Sequence, residues 1–142
     1  MDISYAKRAY GSFVSDLKHS LTTRACIFAT LHREATVALM DLLEESGIVS
    51  YVGKVNMDRN GGENLCEADA SAAAEDTKKW IEETAGKYER TNPILTPRFI
   101  PSCTDELMRE LAKLQKTTGL RVQSHLSENP SEVAWVKELV PA

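Results

Sequence analysis

The stretch Ala25–Val55, ACIFATLHREATVALMDLLEESGIVSYVGKV, decides the fold class. It opens on an apolar, β-prone run, Ala25 to Leu31, after which Ala35, Leu39, Leu42 and Leu43 recur at helical spacing on one face. The helical pattern halts at Gly47, the residue type that ends helices in left-handed backbone, and Ser50 to Val55 reads again as a strand. Strand, helix and strand in that order make a parallel βα unit, because parallel strands need a crossover long enough to hold a helix. The alternation continues in both directions. Upstream, Ala6, Ala9, Tyr10, Phe13 and Leu17 trace a helix face. Downstream of a polar loop at Asn60-Gly61-Gly62, the positions Ala73, Thr77, Trp80, Ile81, Thr84 and Tyr88 trace another, and Pro93 to Thr96 reads as a short strand stopped by Pro97. Thr104 is placed to cap a helix carrying Leu107, Leu111 and Leu114, closed near Gly119 and followed by a strand from Leu120 to Ser124. For the last helix, Asn129 is the cap, Pro130 suits the first turn and Glu132 takes the third helical position.

The sequence thus predicts four strands and five helices, with strand starts about 25 to 45 residues apart, the repeat of a (β/α) barrel or an open doubly wound sheet. No Gly-rich phosphate loop follows any strand, which puts the barrel ahead. A closed eight-stranded barrel takes ~250 residues. A chain of 142 residues supplies about half of one, and with no linker rich in Pro, Gly or Ser it reads as one unit over residues 1–142. Lys and Arg number 17 against 21 Asp and Glu, a net charge of -4 without any long run of one sign, which argues against nucleic acid as a partner. No apolar run approaches the ~20 residues of a membrane span, and Met1 leads into Asp2 and a helical pattern rather than a signal peptide. Cys26, Cys66 and Cys103 are odd in number and widely spaced, giving neither a disulfide framework nor a CxxC site, so a reducing, cytoplasmic setting is expected.

In parallel βα architectures the loops after the strands gather on one face, so polar residues just past each strand are the candidates for chemistry. They are His32, then Asn56-Met57-Asp58, then Arg98-Phe99, and then His125-Leu126-Ser127-Glu128. Two readings fit the last group. A neutral imidazole at the end of a rigid strand is a natural metal ligand, with a glutamate three residues on able to reach the same site. Alternatively His125 is a hydrogen-bonded core histidine and Glu128 favours the next helix N-terminus through the dipole. Arg98 and Phe99 divide similarly: a forked guanidinium beside an aromatic wall suits a flat heterocycle, and a surface Arg beside a core Phe is the plain alternative. His32 reads as a loop or core histidine, His19 as an exposed partner of a helix C-terminus, Asp58 as the start of a polar turn, and Cys26 and Cys103 as small buried hydrophobes.

Four segments together resemble the guanine deaminases of the amidohydrolase superfamily: TTRACIFATLH at 22–32, YVGKVNMD at 51–58, LTPRF at 95–99 and QSHLSEN at 123–129, in matching order and spacing. TPRF and SHLSEN in combination are specific. The resemblance runs from about Tyr10 onward and implies a partial (β/α)8 barrel of the α/β class, barrel strands two to five. It also implies zinc as cofactor and guanine as substrate, hydrolysed to xanthine and ammonia. Carried over by position, His125 is the metal ligand, Glu128 the general acid/base carboxylate, and Arg98 and Phe99 the guanine-contacting pair. The family's paired-histidine HxH motif finds no counterpart in the spacing of His19, His32 and His125, its later His and Asp ligands fall beyond Ala142, and Leu21 stands where it has Gly. The expectation is therefore an internal fragment that is inactive alone and either forms a homo-oligomer or associates with the remaining barrel segments. An amidohydrolase acting on a triazine or pyrimidine, and a non-catalytic half-barrel scaffold, are the competing readings.

Overall fold

The computed structural model describes residues 2–62 and 65–140. Helix α1 (Ile3–Lys18) leads into strand β1 (Arg24–Phe28), helix α2 (Arg33–Ser46) and strands β2 (Val49–Gly53) and β3 (Val55–Asn56). Helix α3 (Ala70–Thr84) precedes strands β4 (Thr91–Pro93) and β5 (Thr96–Pro97) and a 3-10 turn (Ile100–Ser102); helices α4 (Asp105–Thr118) and α5 (Pro130–Leu139) complete the order. Every strand pairing is parallel. Phe28 lies opposite Gly53 and Val52 opposite Pro93, and in the second ladder Val55 pairs Thr96 and Asn56 pairs Pro97.

The two ladders are one sheet with local breaks at Lys54 and at Ile94-Leu95. Backbone bonds bridge the breaks: Val55 N–H donates to the Thr30 carbonyl and Ile94 N–H to that of Val52, each at 3.0 Å. The third strand therefore starts at Thr91, ahead of the expected Pro93, and ends on Pro97, the residue expected to stop it. Proline is tolerated there because its neighbour takes up the ladder, Arg98 N–H donating to the Asn56 carbonyl at 3.1 Å. The segment expected as a fourth strand, Leu120 to Ser124, is extended but joins by a single bridge, Leu95 to Val122, with Leu95 N–H to Arg121 O and Gln123 N–H to Leu95 O both at 2.9 Å.

The sheet curls. Four strands laid flat put the first and fourth roughly 14 Å apart at ~4.8 Å per step, yet the Gln123 amide donates to the Ile27 carbonyl at 3.1 Å and accepts from the Cys26 thiol at 2.9 Å. The same amide donates to Thr96 Oγ1 at 2.9 Å. Gly53 lies beneath this bridge, where any Cβ would overlap the Thr96 side chain, so glycine is required for closeness rather than for conformation. The result is a partial (β/α) barrel.

Helices cover the outer face. Val14, Ile27, Leu39, Met40, Leu43, Val52 and Trp80 pack into one core against α1, α2 and α3, and Ala70, Ala73, Cys103, Leu107 and Leu111 form a second between α3 and α4. Helix α1 buries Val14, flanked by Tyr10 and Leu17, while Phe13, expected inside, is 40% exposed. The helix ends follow the sequence signals: Gly47 and Gly119 take φ of 80° and 69°, and Asp69, Thr104 and Asn129 accept N-terminal N–H groups.

Candidate active site

An open cavity of about 300 Å3 lies at the C-terminal ends of the strands, in the size range of ligand pockets. Phe28 to Leu31 from the end of β1, Val55 and Met57 from β3 and its loop, Arg98 after β5 and His125 line it, with Gly62 and Leu65 at its edge. Arg98 and His125, distant in sequence, thus share one wall.

The imidazole of His125 is exposed in this chain. Its backbone N–H donates to the Arg98 carbonyl at 3.0 Å, and its Nδ1 lies 3.1 Å from the same oxygen. A carbonyl only accepts, so Nδ1 carries a proton, and in the neutral ring Nε2 is then the nitrogen with the lone pair. That is the arrangement in which a ring N–H held by a carbonyl orients an imidazole for a metal. The Phe28 ring, 4.2 Å away between centroids, fixes the other side. His125 therefore fits a metal by its chemistry. Among the described residues no group of three or more His, Cys, Asp or Glu side chains gathers to complete a site.

Arg98 projects an exposed guanidinium, set 5.1 Å over the Phe99 ring and with one Nη 3.9 Å from Met57 Sδ. Phe99 itself turns away from the cavity and packs edge-on against Trp135 of α5 at 6.3 Å. The pair stays in contact but only the arginine lines the cavity. Glu128 stands exposed on the loop before α5, outside that lining. It does not cap the helix: Asn129 does so, accepting from Glu132 N–H at 2.9 Å.

The other candidates resolve into structure. Asp58 accepts from Thr104 N–H at 2.8 Å and from its hydroxyl at 2.5 Å, tying the loop after β3 to the start of α4. His32 is the N-cap of α2 with no capping side-chain bond and lines a separate cavity beside Arg33, Glu67 and Asp76. His19 closes α1, its Nδ1 donating to the Ser15 carbonyl at 2.7 Å. Cys103 is buried, and that burial pushes its thiol pKa up; Cys26, expected inside, is exposed on the concave side.

Sequence reading missed the support beneath the site. Lys54 is fully buried and its Nζ lies 2.5 Å from Glu67 Oε1 and 3.4 Å from Asp76 Oδ2. Glu67 also accepts from Met57 N–H at 3.0 Å and from the Asn56 amide, which donates to Thr77 Oγ1 at 2.7 Å. This network fixes the cavity wall at Met57. Its signal was a lysine amid the apolar run Tyr51 to Val55, a place where an ammonium is tolerated only when paired.

The sequence model of the Amidohydrolase family matches residues 3–141. Guanine deaminase of Dictyostelium discoideum is 38% identical over 141 residues, covering 99% of this chain and 31% of its own length. The Homo sapiens guanine deaminase is 38% identical over 142 residues, again 99% of this chain and 31% of the relative. Among solved structures, that of guanine deaminase from C. acetobutylicum with bound guanine in the active site superposes with a TM-score of 0.93 at 47% identity, over 97% of this chain and 33% of that one. The chain spans about a third of the length of these relatives.

Proposed function

The chain belongs to the amidohydrolase family, and from that membership we propose that it forms part of a zinc-dependent enzyme that hydrolyses guanine to xanthine and ammonia, residues 1–142 contributing a continuous section of the barrel. The observation that carries the reading is the joint placement of Arg98 and His125. One residue's carbonyl sets the imidazole tautomer, and its guanidinium lines the same cavity. Zinc, when bound, supplies an acidified water at neutral pH.

The chain's own residues have distinct tasks. His125 offers Nε2 to the metal. The Arg98 fork matches the carbonyl oxygen and ring nitrogen on one edge of guanine, the geometry with which arginine reads that base elsewhere. Phe99 holds the guanidinium plane. Glu128 takes the proton of the attacking water and passes it to the exocyclic amine, which departs as ammonia. A catalytic zinc takes about three protein ligands, so residues 1–142 alone are expected to be inactive. The three free cysteines suit a reducing compartment, and the proposal extends to a cytoplasmic location.

The test is the complete gene product, supplied with zinc and guanine and assayed for xanthine and ammonia. Turnover abolished by chelation and restored by zinc is expected. A zinc-replete protein that leaves guanine unchanged, or that prefers a triazine or pyrimidine, overturns the assignment.

A further inference from the structure

The loop that carries Glu128 is held by a side chain outside the proposed reacting set. Glu132 is the buried residue of α5, 6% exposed, while Val133 and Trp135 on the same helix remain in contact with solvent. Its two carboxylate oxygens are used separately: Oε1 accepts from Ser127 N–H at 3.1 Å and Oε2 from Glu128 N–H at 2.6 Å. A glutamate at the third position of a capped helix ordinarily reaches the N–H of the capping residue. Here it passes Asn129 and clamps the two residues before it. Ser127 meanwhile adopts φ of 53°, a left-handed backbone that a residue with a Cβ holds only where its surroundings impose it. Among the described residues the Glu128 carboxylate takes part in no ion pair, and the hold on this residue is the Glu132 bond to its backbone N–H.

We infer that Glu132 is a positioning residue, its carboxylate fixing the Ser127-Glu128 peptide so that Glu128 is aimed for proton transfer. This rests on the acid/base role proposed for Glu128. Burying a carboxylate is unfavourable unless its oxygens are satisfied, and here both are satisfied by the same two amides. A glutamine in its place keeps a single acceptor oxygen and presents an N–H2 to one amide, freeing that end of the clamp while α5 keeps its Asn129 cap.

In the zinc-loaded complete gene product, Glu132→Gln is expected to lower kcat roughly 10- to 100-fold, the effect of about 1 Å of misplacement, with KM for guanine and metal content unchanged. Amide hydrogen exchange at Ser127 and Glu128 is expected to quicken. Adding Ser127→Gly, which adopts left-handed backbone freely, is expected to return part of the lost kcat; a residue that merely stabilised α5 would gain nothing from a glycine outside the helix. Wild-type kcat in Glu132→Gln, or a loss matched by loss of zinc, overturns the inference. If Glu132→Gln fails to fold, the double variant is read against Ser127→Gly alone, and equal kcat in those two overturns it. Turnover retained in Glu128→Gln instead overturns the acid/base assignment beneath it, so the two failures are distinct.

Discussion

Lys54→Met is expected to lower the unfolding free energy of the chain by about 3 kcal/mol, and the figure follows from what the substitution leaves behind. Methionine nearly fills the space of the lysine stem, so the cavity contribution is small. The ammonium, however, is fully buried at 2.5 Å from Glu67, whose side chain is only 8% exposed. Removing one partner of a buried ion pair costs about 3–5 kcal/mol because the other charge stays desolvated. Glu67 keeps Met57 N–H and the Asn56 amide as donors, which places the loss at the lower end. Against a total of roughly 5–15 kcal/mol this is a large fraction, and at roughly 3 °C per kcal/mol it lowers Tm by about 10 °C. Urea titration followed by fluorescence of the buried Trp80 measures it. Lys54→Met combined with Glu67→Gln is expected to be more stable than Lys54→Met alone, since no buried charge is then orphaned. A loss below about 1 kcal/mol, the value of a solvated surface pair, would refute the reasoning.

Glu44 provides a pH test: burial pushes its carboxyl up, but the N–H groups of Glu89, Arg90 and Thr91 hold it below the usual carboxylate value of 4.5. A lowered folded-state value stabilises above the unfolded one and is lost as pH falls through it. Thermal unfolding from neutral to acid pH is therefore expected to show the wild type ahead of Glu44→Gln at pH 7 with a gap that closes below about pH 4.5; a constant gap contradicts this. Arg98→Ala is expected to raise KM for guanine roughly 10- to 100-fold, the loss of a charged hydrogen bond, with metal content unchanged. Residues 1–142 studied alone are expected to self-associate, because among the described residues β1 and the Leu120–Ser124 segment each have one edge without a strand partner and Val122 and Leu126 are 53% and 75% exposed. Light scattering over a dilution series that finds a compact monomer at micromolar concentration would contradict that.

Periodicity and caps made the βα alternation legible, down to Gly47, Thr104 and Asn129, since those signals are local. What escaped was set by tertiary contact. The third strand begins at Thr91, two residues before the expected Pro93, because its pairing with β2 rather than any local signal sets that end. Phe13 and Val14 are neighbours on one helix, and the packing of α1 onto the core buries Val14 and leaves Phe13 exposed. The candidate residues after the strands were found from their position alone, and Arg98 and His125 do meet. That Phe99 would turn toward Trp135, that Lys54 and Glu67 would pair beneath Met57, and that Gln123 would span to β1 depend on curvature, which no local pattern encodes.

The division of labour between His125 and Glu128 is the centre of the account, and one comparison tests it most directly. Zinc content and guanine turnover are measured side by side in His125→Ala and Glu128→Gln of the complete gene product. A ligand holds the metal and a proton carrier does not, so His125→Ala is expected to lose both metal and turnover, and Glu128→Gln to lose turnover while keeping its zinc. Equal zinc loss in the two variants, or turnover retained in either, would contradict it.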